Sequence, residues 1–202
     1  MIQKVILASG NQGKLLELQE TLKGLPFELT PQPNTPKYDV EETGTTFVEN
    51  AIIKARNASL LSGVPAIADD SGLIIDALGG EPGVKTARYA GPRCSSQENM
   101  DLVLSRLIHY KESQQRRATF ICVLVYLRCA TDPLPIIVTG QWSGAIAQKQ
   151  HGKGGFGYDP IFWDFTQQMT SAQMSKQQKA KLSHRGQACE KLKIELQSLW
   201  GK

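Results

Sequence analysis

Two adjacent aspartates interrupt a mostly apolar stretch of the sequence, Pro65–Gly80. Buried carboxylates are costly unless a cation, a proton or a hydrogen-bonding ligand compensates them, so Asp69 and Asp70 are candidates for chemistry. Successive strand residues point to opposite faces, and we expect a bend after Asp69, which Ser71 and Gly72 permit. One carboxylate would then face a cleft, where it could bind a cation such as Mg²⁺ or deprotonate water, while the other caps the local backbone. The alternative is an Asx-type turn without a catalytic role.

A glycine-rich turn near the start of the chain offers a place for phosphate. The segment SGNQGK joins a strand-like run to a helical pattern, so its backbone N–H groups and the helix N-terminus could face an anion. Lys14 would add a mobile positive charge. The turn is not a P-loop, because Gly10 and Gly13 are too close together and Leu15 follows the lysine in place of Ser or Thr. An ordinary tight turn between strand and helix is the alternative interpretation.

Charged side chains surround the start of the second helical pattern, EETGTTFVENAIIKAR. Glu41 and Glu42 precede the helix, and Glu49, Asn50 and Lys54 lie within it. Besides a part in a polar site, these residues have a structural interpretation. Acidic residues favour a helix N-terminus electrostatically, and the lysine could be solvated on an exposed face.

A third polar segment, HGKGGFGYDPIF, places four glycines around aromatic and acidic residues. Glycine lets the backbone approach a flat ligand closely, so Phe156 could stack on a nucleobase and Asp159 could accept hydrogen bonds from ring N–H groups. A hairpin-like loop with aromatic anchors is the alternative. We expect His151 to be a surface residue, since zinc-ligand spacing is absent from the sequence.

A basic segment, KQQKAKLSHRG, follows later in the chain. Lys179, His184 and Arg185 offer donors suited to phosphate or to a carbonyl-bearing base. For Lys176 and Lys181 we favour a solvated helix end, and for the His–Arg pair the functional and structural interpretations both stay open.

The elements that must position these residues follow from periodicity, capping signals and turn residues. We expect helices built on Leu15, Leu18 and Leu22, on Phe47, Ala51, Ala55 and Ala58, after the S-x-x-E capping pattern of Ser95 and Glu98, and over the C-terminal GQACEKLKIELQSLW. A second capping pattern, Thr170 and Gln173, should open a polar helical stretch. We expect strands over Val5–Ala8, Ala66–Ala68, Leu73–Ile75, ATFICVLVYLRCA and LPIIVTGQWSGAIA, with a Pro-rich connection through Pro31, Pro33 and Pro36. Interleaved helices with consecutive middle strands predict an α/β protein with a mixed β-sheet flanked by helices.

Composition excludes several classes of protein. The 202 residues are 41% hydrophobic and 21% charged, which is ordinary for a globular domain, and we interpret residues 1–202 as a single domain. The net charge of +4 comes from interspersed Lys and Arg, which argues against a nucleic-acid partner. A membrane-length apolar run is absent from the sequence, and the four cysteines form no C-x-x-C pair, so we expect no membrane association, reduced cysteines and a cytoplasmic location.

Six segments in order, SGNQGK, EETGTTFVENAIIKAR, AIADDSGL, GGEPGVKTARYAG, GGFGYDPIF and LSHRGQA, resemble the inosine triphosphate pyrophosphatase family and its bacterial dITP/XTP pyrophosphatases. The matches extend from Ser9 to Ala188. The resemblance implies a mixed α/β fold with two lobes around a central active-site cleft, a homodimer, and Mg²⁺ dependence. It further implies hydrolysis of non-canonical purine nucleoside triphosphates (dITP, ITP, XTP) to the monophosphate and pyrophosphate, which cleanses the nucleotide pool.

The same resemblance assigns roles to residues. It makes Asp70 the catalytic base and, with Glu42, a metal ligand. The implied substrate contacts are Ser9, Gly10, Asn11, Gln12, Gly13, Lys14, Lys54, Ser71, Phe156, Gly157, Tyr158, Asp159, Lys179, His184 and Arg185. It gives no role to Glu41, Asp69 or His151. The stretch after DPIF departs from the family's commoner form, because it lacks a basic residue directly before Thr170.

Two other functions stay open at this stage. One is a broader nucleotide pyrophosphatase that acts on modified pyrimidines, which the same phosphate chemistry would support. The other is a nucleotide-binding regulator without turnover, which would keep the glycine loops and basic contacts but would not require Asp70 beside Glu42.

Overall fold

The computed structural model describes residues 2–200. Its five α-helices are α1 (Gln12–Thr21), α2 (Phe47–Ser62), α3 (Ser96–Arg106), α4 (Lys176–Leu182) and α5 (His184–Trp200). Its strands are β1 (Gln3–Leu7), β2 (Phe27–Pro31), β3 (Ala66–Ile75), β4 (Pro82–Gly83), β5 (Arg117–Leu127), β6 (Ile136–Ile146), β7 (Phe162–Asp164) and β8 (Met169–Thr170). Among residues 2–200, none of the helices combines the length and apolar composition that a membrane crossing requires.

The strands form one mixed sheet, as the sequence predicts. Their order is β2-β1-β3-β5-β6-β7-β8, with β4 paired to β3. β1 pairs in parallel with β2 and β3, whereas β4 and the β6-β7-β8 strands pair antiparallel. Two parallel strands need a crossover connection, and α1 and α2 supply the helices of the first two crossovers.

The chain divides into two compact units. Unit 1 contains the described residues of Met1–Asp70, Cys122–Gly140 and His184–Lys202, and unit 2 contains Ser71–Ile121 and Gln141–Ser183. The interpretation of residues 1–202 as one domain stays a prediction. Each unit has its own apolar core.

The core of unit 1 lies between helices α1 and α5 and the strands. Leu15 and Leu18 on α1 and Leu192 and Leu196 on α5 pack with strand residues such as Leu124. The 3.6-residue spacing of the α1 leucines puts them on one buried face, as predicted. This packing holds α1 and α5 in the core of unit 1.

The core of unit 2 is rich in aromatic rings. The ring centroids of Phe120 and Phe162 lie 4.5 Å apart, and those of Trp142 and Phe162 lie 4.9 Å apart. The Trp142 indole N–H donates to a carboxylate oxygen of the buried Asp164, at 2.6 Å, so the polar atom of the indole is satisfied inside the core.

Helix starts follow the capping signals. Ser95 and Glu98 form a reciprocal capping box at α3, as predicted, and Thr46 and Glu49 form another at α2. The predicted box at Thr170 is also present, but it opens a single 3-10 turn, and α4 begins afterwards at its own cap, Ser175.

Two expectations about strands were wrong. The Pro-rich connection contains strand β2, which pairs with β1 at the end of the strand order, where a proline is tolerated because one side of the strand has no ladder partner. Ala66–Ala68 and Leu73–Ile75 are parts of one continuous strand, β3, rather than two strands separated by a bend.

Candidate functional site

The two aspartates of β3 lie on opposite sides of an unbroken strand. Asp69 and Asp70 are both buried, and each bonds to different basic residues. The expected bend after Asp69 is therefore wrong: the alternation of a strand already sends the two carboxylates to separate partners. Asp69 bonds to Lys14, Arg185 and Cys122, all of which lie far from it in the sequence. The expectation that one of the two carboxylates caps the local backbone stays a prediction.

Asp70 belongs to a cluster of two carboxylates around one ammonium. Lys54 Nζ donates to Asp70 Oδ1 at 2.6 Å and to Glu42 Oε1 at 3.0 Å. Helix α2 carries Lys54, and the segment just before that helix carries Glu42. Sequence reasoning proposed these three residues for one site, and the structure brings them together.

The electrostatics of this cluster suit a proton acceptor. Burial raises the pKa of Asp70, Lys54 offsets part of that increase, and the negative charge of Glu42 adds to it. The second carboxylate oxygen, Asp70 Oδ2, is buried and has no hydrogen-bond partner within residues 2–200. A buried acceptor of this kind is costly unless a ligand or a proton meets it.

Mg²⁺ fits this donor set. Carboxylate oxygens are hard ligands, Mg²⁺ usually binds to one or two protein carboxylates plus water and phosphate oxygens, and Glu42 and Asp70 supply two carboxylates. Over the described chain, no group of three or more His, Cys, Asp or Glu side chains is placed to hold a metal ion.

The Ser9–Lys14 turn leads into α1 as predicted. The Ser9 hydroxyl accepts from the Asn11 N–H at 3.1 Å, and the Asn11 side chain caps the helix by accepting from the Lys14 N–H at 3.2 Å. Gly10 and Gly13 lie exposed at this end of the helix. The backbone N–H groups of a helix start favour an anion, so the geometry is compatible with phosphate.

Asp69 forms the buried centre of a second ion-pair cluster, which sequence reasoning missed. Lys14 Nζ lies 2.5 Å from Asp69 Oδ1, Arg185 Nε lies 2.8 Å from Oδ2, and the Cys122 thiol donates to Oδ2 at 3.6 Å. Burial alone would raise the pKa of Asp69, but Arg185 and Lys14 outweigh it and hold the pKa well below its usual range. Arg185 Nη1 also bonds to Glu17 on α1, at 3.0 Å. The spacing of Lys14 and Glu17, three residues apart on one helix face, was the available sequence signal.

His184 and Arg185 form the first turn of α5, and both are buried. Two of the guanidinium nitrogens of Arg185 bond to Asp69 and Glu17. Their predicted role as substrate contacts stays a prediction.

Gly140 on β6 lets α5 begin this close to the sheet. A Cβ at Gly140 would lie 1.9 Å from the His184 carbonyl oxygen and 2.7 Å from the Ala188 backbone nitrogen. We expect Gly140→Ala to lower the free energy of unfolding by about 3 kcal/mol, since rigid backbone must shift to admit the methyl group. For a chain of this size the melting temperature should fall by roughly 6 to 12 °C in calorimetry.

The matched control for that variant is Gly10→Ala, because a Cβ at Gly10 would meet nothing within 4 Å. Its melting temperature should stay close to that of the wild type. Equal melting temperatures for the two variants would contradict the close approach of α5 to β6.

In unit 2, the glycine-rich segment forms an aromatic loop held by one carboxylate. The side chain of Asp159 accepts from the Phe156 N–H at 2.8 Å and from the Ser171 hydroxyl at 2.7 Å, and it pairs with Lys179. The Lys179 ammonium lies 4.8 Å from the centroid of the Phe156 ring, which is half exposed. Gly155, with φ at +73°, has no space for a side chain next to Asp159. The loop thus presents a flat ring beside a paired cation.

Tyr158 points into the protein in this loop. Its ring is buried, its hydroxyl donates to the Thr86 carbonyl at 2.8 Å, and burial raises its pKa. Gly157 beside it adopts a φ of +61°, and Ser71 at the start of unit 2 is partly exposed. Sequence reasoning missed Ser171, which lies outside this loop and holds it through a hydrogen bond to Asp159, 12 residues away in sequence.

Comparisons with known proteins identify the family of this chain. Residues 5–195 match the model of the Ham1 family. The chain belongs to the Ham1 family. One relative is the dITP/XTP pyrophosphatase of Pectobacterium atrosepticum, which is 50% identical over 93% of this chain and 94% of that protein. Another is the dITP/XTP pyrophosphatase of Thioalkalivibrio sulfidiphilus, which is 50% identical over 98% of this chain and 100% of that protein. The resemblance drawn from the six segments is thereby confirmed.

Solved structures of Ham1 proteins share the fold. A HAM1 protein from Coxiella burnetii superimposes with a TM-score of 0.89 at 46% identity, covering 97% of this chain and 99% of that one. The Ham1 protein of Staphylococcus aureus gives a TM-score of 0.87 at 38% identity, covering 98% and 100%. The mixed sheet flanked by helices is the fold of this family.

Proposed function

We propose that this Ham1 protein hydrolyses dITP, ITP and XTP to the nucleoside monophosphate and pyrophosphate, with Mg²⁺. Relatives about half identical over nearly the whole chain are named dITP/XTP pyrophosphatases. The observation that carries the proposal is the buried Asp70 Oδ2, which has no hydrogen-bond partner among residues 2–200 and belongs to the carboxylate that Lys54 joins to Glu42. It offers a general base next to positive charge, which water attack on a phosphate requires.

The reaction places the nucleophile at the α-phosphorus. Asp70 takes a proton from water, the water oxygen bonds to the α-phosphorus, and the bond from that phosphorus to the bridging oxygen breaks. The electron pair of that bond leaves with pyrophosphate. Because burial raises the pKa of Asp70, its carboxylate is a better proton acceptor than a solvated one.

Positive charge must compensate the triphosphate during this step. Glu42 and Asp70 would hold Mg²⁺, which when bound neutralises phosphate oxygens. Lys14 and the N–H groups of the Ser9–Lys14 turn would bind the phosphates, and Lys54 would contact a phosphate oxygen.

For the base, we propose the aromatic loop of unit 2 together with the donors of the basic segment. Phe156 would stack on the purine, and Lys179, His184 or Arg185 would donate to the carbonyl at the purine 6-position. Adenine carries an amino group there and could not accept such a bond, so ATP would be disfavoured.

A substrate panel with pyrophosphate detection tests this function, with and without Mg²⁺. We expect dITP to give dIMP and pyrophosphate, only with Mg²⁺, and ITP to be favoured over ATP. Release of orthophosphate and dIDP would contradict the bond assignment, and equal catalytic efficiency on ATP and ITP would contradict the specificity. Preference for a modified pyrimidine triphosphate would favour the broader pyrophosphatase, and binding without turnover would favour a regulator.

Replacing the exposed ring of the loop tests base binding. We expect Phe156→Ala to raise the KM for ITP about tenfold, because stacking of a base on an aromatic side chain contributes about 1–3 kcal/mol. Steady-state kinetics on ITP measure this. Phe165→Ala is the matched control, since Phe165 is another exposed phenylalanine of unit 2 outside the loop. An unchanged KM in the Phe156 variant would exclude stacking.

We also propose a homodimer in the cytoplasm. The four cysteines are free, with Cys129 exposed, which fits a reducing compartment. A solution mass measurement would test the dimer, and a mass of one chain would contradict it.

A further inference from the structure

Asp69 forms an ion pair with Lys14, the lysine of the Ser9–Lys14 turn. Its side chain is completely buried, and its two oxygens take different cations. Oδ1 lies 2.5 Å from Lys14 Nζ, and Oδ2 lies 2.8 Å from Arg185 Nε. A buried carboxylate with two cationic partners has little freedom to move, because losing either contact leaves a buried charge uncompensated.

Lys14 needs such a partner more than the other residues of its turn. A lysine side chain has four rotatable bonds. It loses up to about 2 kcal/mol of rotamer entropy when a ligand immobilises it. An ammonium carries three N–H donors, so the bond to Asp69 leaves two for an anion.

We infer that Asp69 is a positioning residue, which fixes the Lys14 ammonium at the Ser9–Lys14 turn for triphosphate binding. It acts through Lys14 and does not touch the substrate. The inference rests on the proposed function, because it takes the turn to be the phosphate site. Ordering Lys14 before the ligand arrives removes part of the entropy cost of binding.

A double-mutant cycle on polyphosphate binding tests the inference without turnover. The probe is inorganic tripolyphosphate with Mg²⁺, titrated calorimetrically into the wild type, Asp69→Asn, Lys14→Met and the double variant. We expect Asp69→Asn to weaken binding about tenfold in the wild-type background and less than twofold in the Lys14→Met background. A purely structural role would give the same loss in both backgrounds, and that result would overturn the inference.

Whether Asp69→Asn weakens or tightens tripolyphosphate binding also distinguishes positioning of Lys14 from a simple charge effect. If Asp69 acted only by its negative charge, Asp69→Asn would tighten anion binding, and tighter or unchanged binding would overturn the inference. Glu17→Gln is the matched control, because Glu17 contacts Arg185 and not Lys14. We expect the affinity of this variant for tripolyphosphate to stay within twofold of the wild type. A tenfold loss would indicate that Asp69 acts through Arg185 and not through Lys14, and would overturn the inference.

Folding of the variants is checked by thermal unfolding. If Asp69→Asn does not fold, Asp69→Ser replaces it, and failure of both would assign Asp69 to the fold alone and overturn the inference. Turnover of dITP by the wild type separates the two proposals. If the wild type hydrolyses dITP but the Asp69 and Lys14 substitutions show no coupling in tripolyphosphate binding, only the positioning role is contradicted. If the two substitutions are coupled but the wild type releases no pyrophosphate from dITP, only the proposed function is contradicted.

Discussion

Asp70→Asn is expected to lower kcat for dITP about 10³-fold, because the amide cannot accept the proton of the attacking water. The amide is nearly isosteric with the carboxylate and keeps an oxygen for Lys54, which now lies 2.6 Å from Oδ1. Nucleotide affinity should therefore change by less than tenfold. Single-turnover rates and equilibrium binding of dITP measure the two effects separately.

Asp76→Asn is the matched control for this variant. Asp76 follows on the same segment of the chain but is exposed, and we expect its removal to leave kcat unchanged. Full turnover by the Asp70 variant, with a melting temperature equal to that of the wild type, would reject the general-base role.

Glu42→Gln should raise the Mg²⁺ concentration needed for half-maximal rate by roughly 10- to 100-fold, since a neutral amide oxygen is a weaker ligand than a carboxylate. At saturating Mg²⁺ most of the kcat should return, because Glu42 is not the proposed base. Initial rates over a Mg²⁺ series measure this dependence.

The neighbouring residue provides the comparison for Glu42. Glu41→Gln changes the same charge one position earlier, at an exposed side chain to which the sequence resemblance assigns no role. Its Mg²⁺ dependence should match that of the wild type. Identical curves for the two glutamate variants would exclude Glu42 as a specific ligand.

Local signals explain why much of the fold could be predicted from the sequence. A capping box needs only residues three apart, so Ser95 with Glu98 could be identified without knowing the fold. The same holds for the leucine face of α1. Strand β2 could not be identified in this way, because Pro31 argues against a strand and is tolerable only since β2 lies at the end of the strand order.

The site was predictable where its residues carry recognisable motifs and not where they depend on distant partners. Asp70, Lys54 and Glu42 were assigned to one site and do lie together. Asp69 received no role, because Lys14 and Arg185 lie 55 and 116 residues away from it in sequence. The expected bend failed for the same reason: each carboxylate has a cation on its own side of the strand, so no bend is needed.

Lys54 gives the two-carboxylate cluster a counterion that belongs to the chain itself. The buried Asp70 and the partly exposed Glu42 would repel each other and oppose folding, but an ammonium within 3.0 Å of both offsets their repulsion. The polypeptide can therefore reach its native state before it meets any dissolved ion. Chelating agents should therefore abolish the hydrolytic activity of such a protein reversibly and leave it folded. Small domains whose structure depends on a bound metal unfold instead.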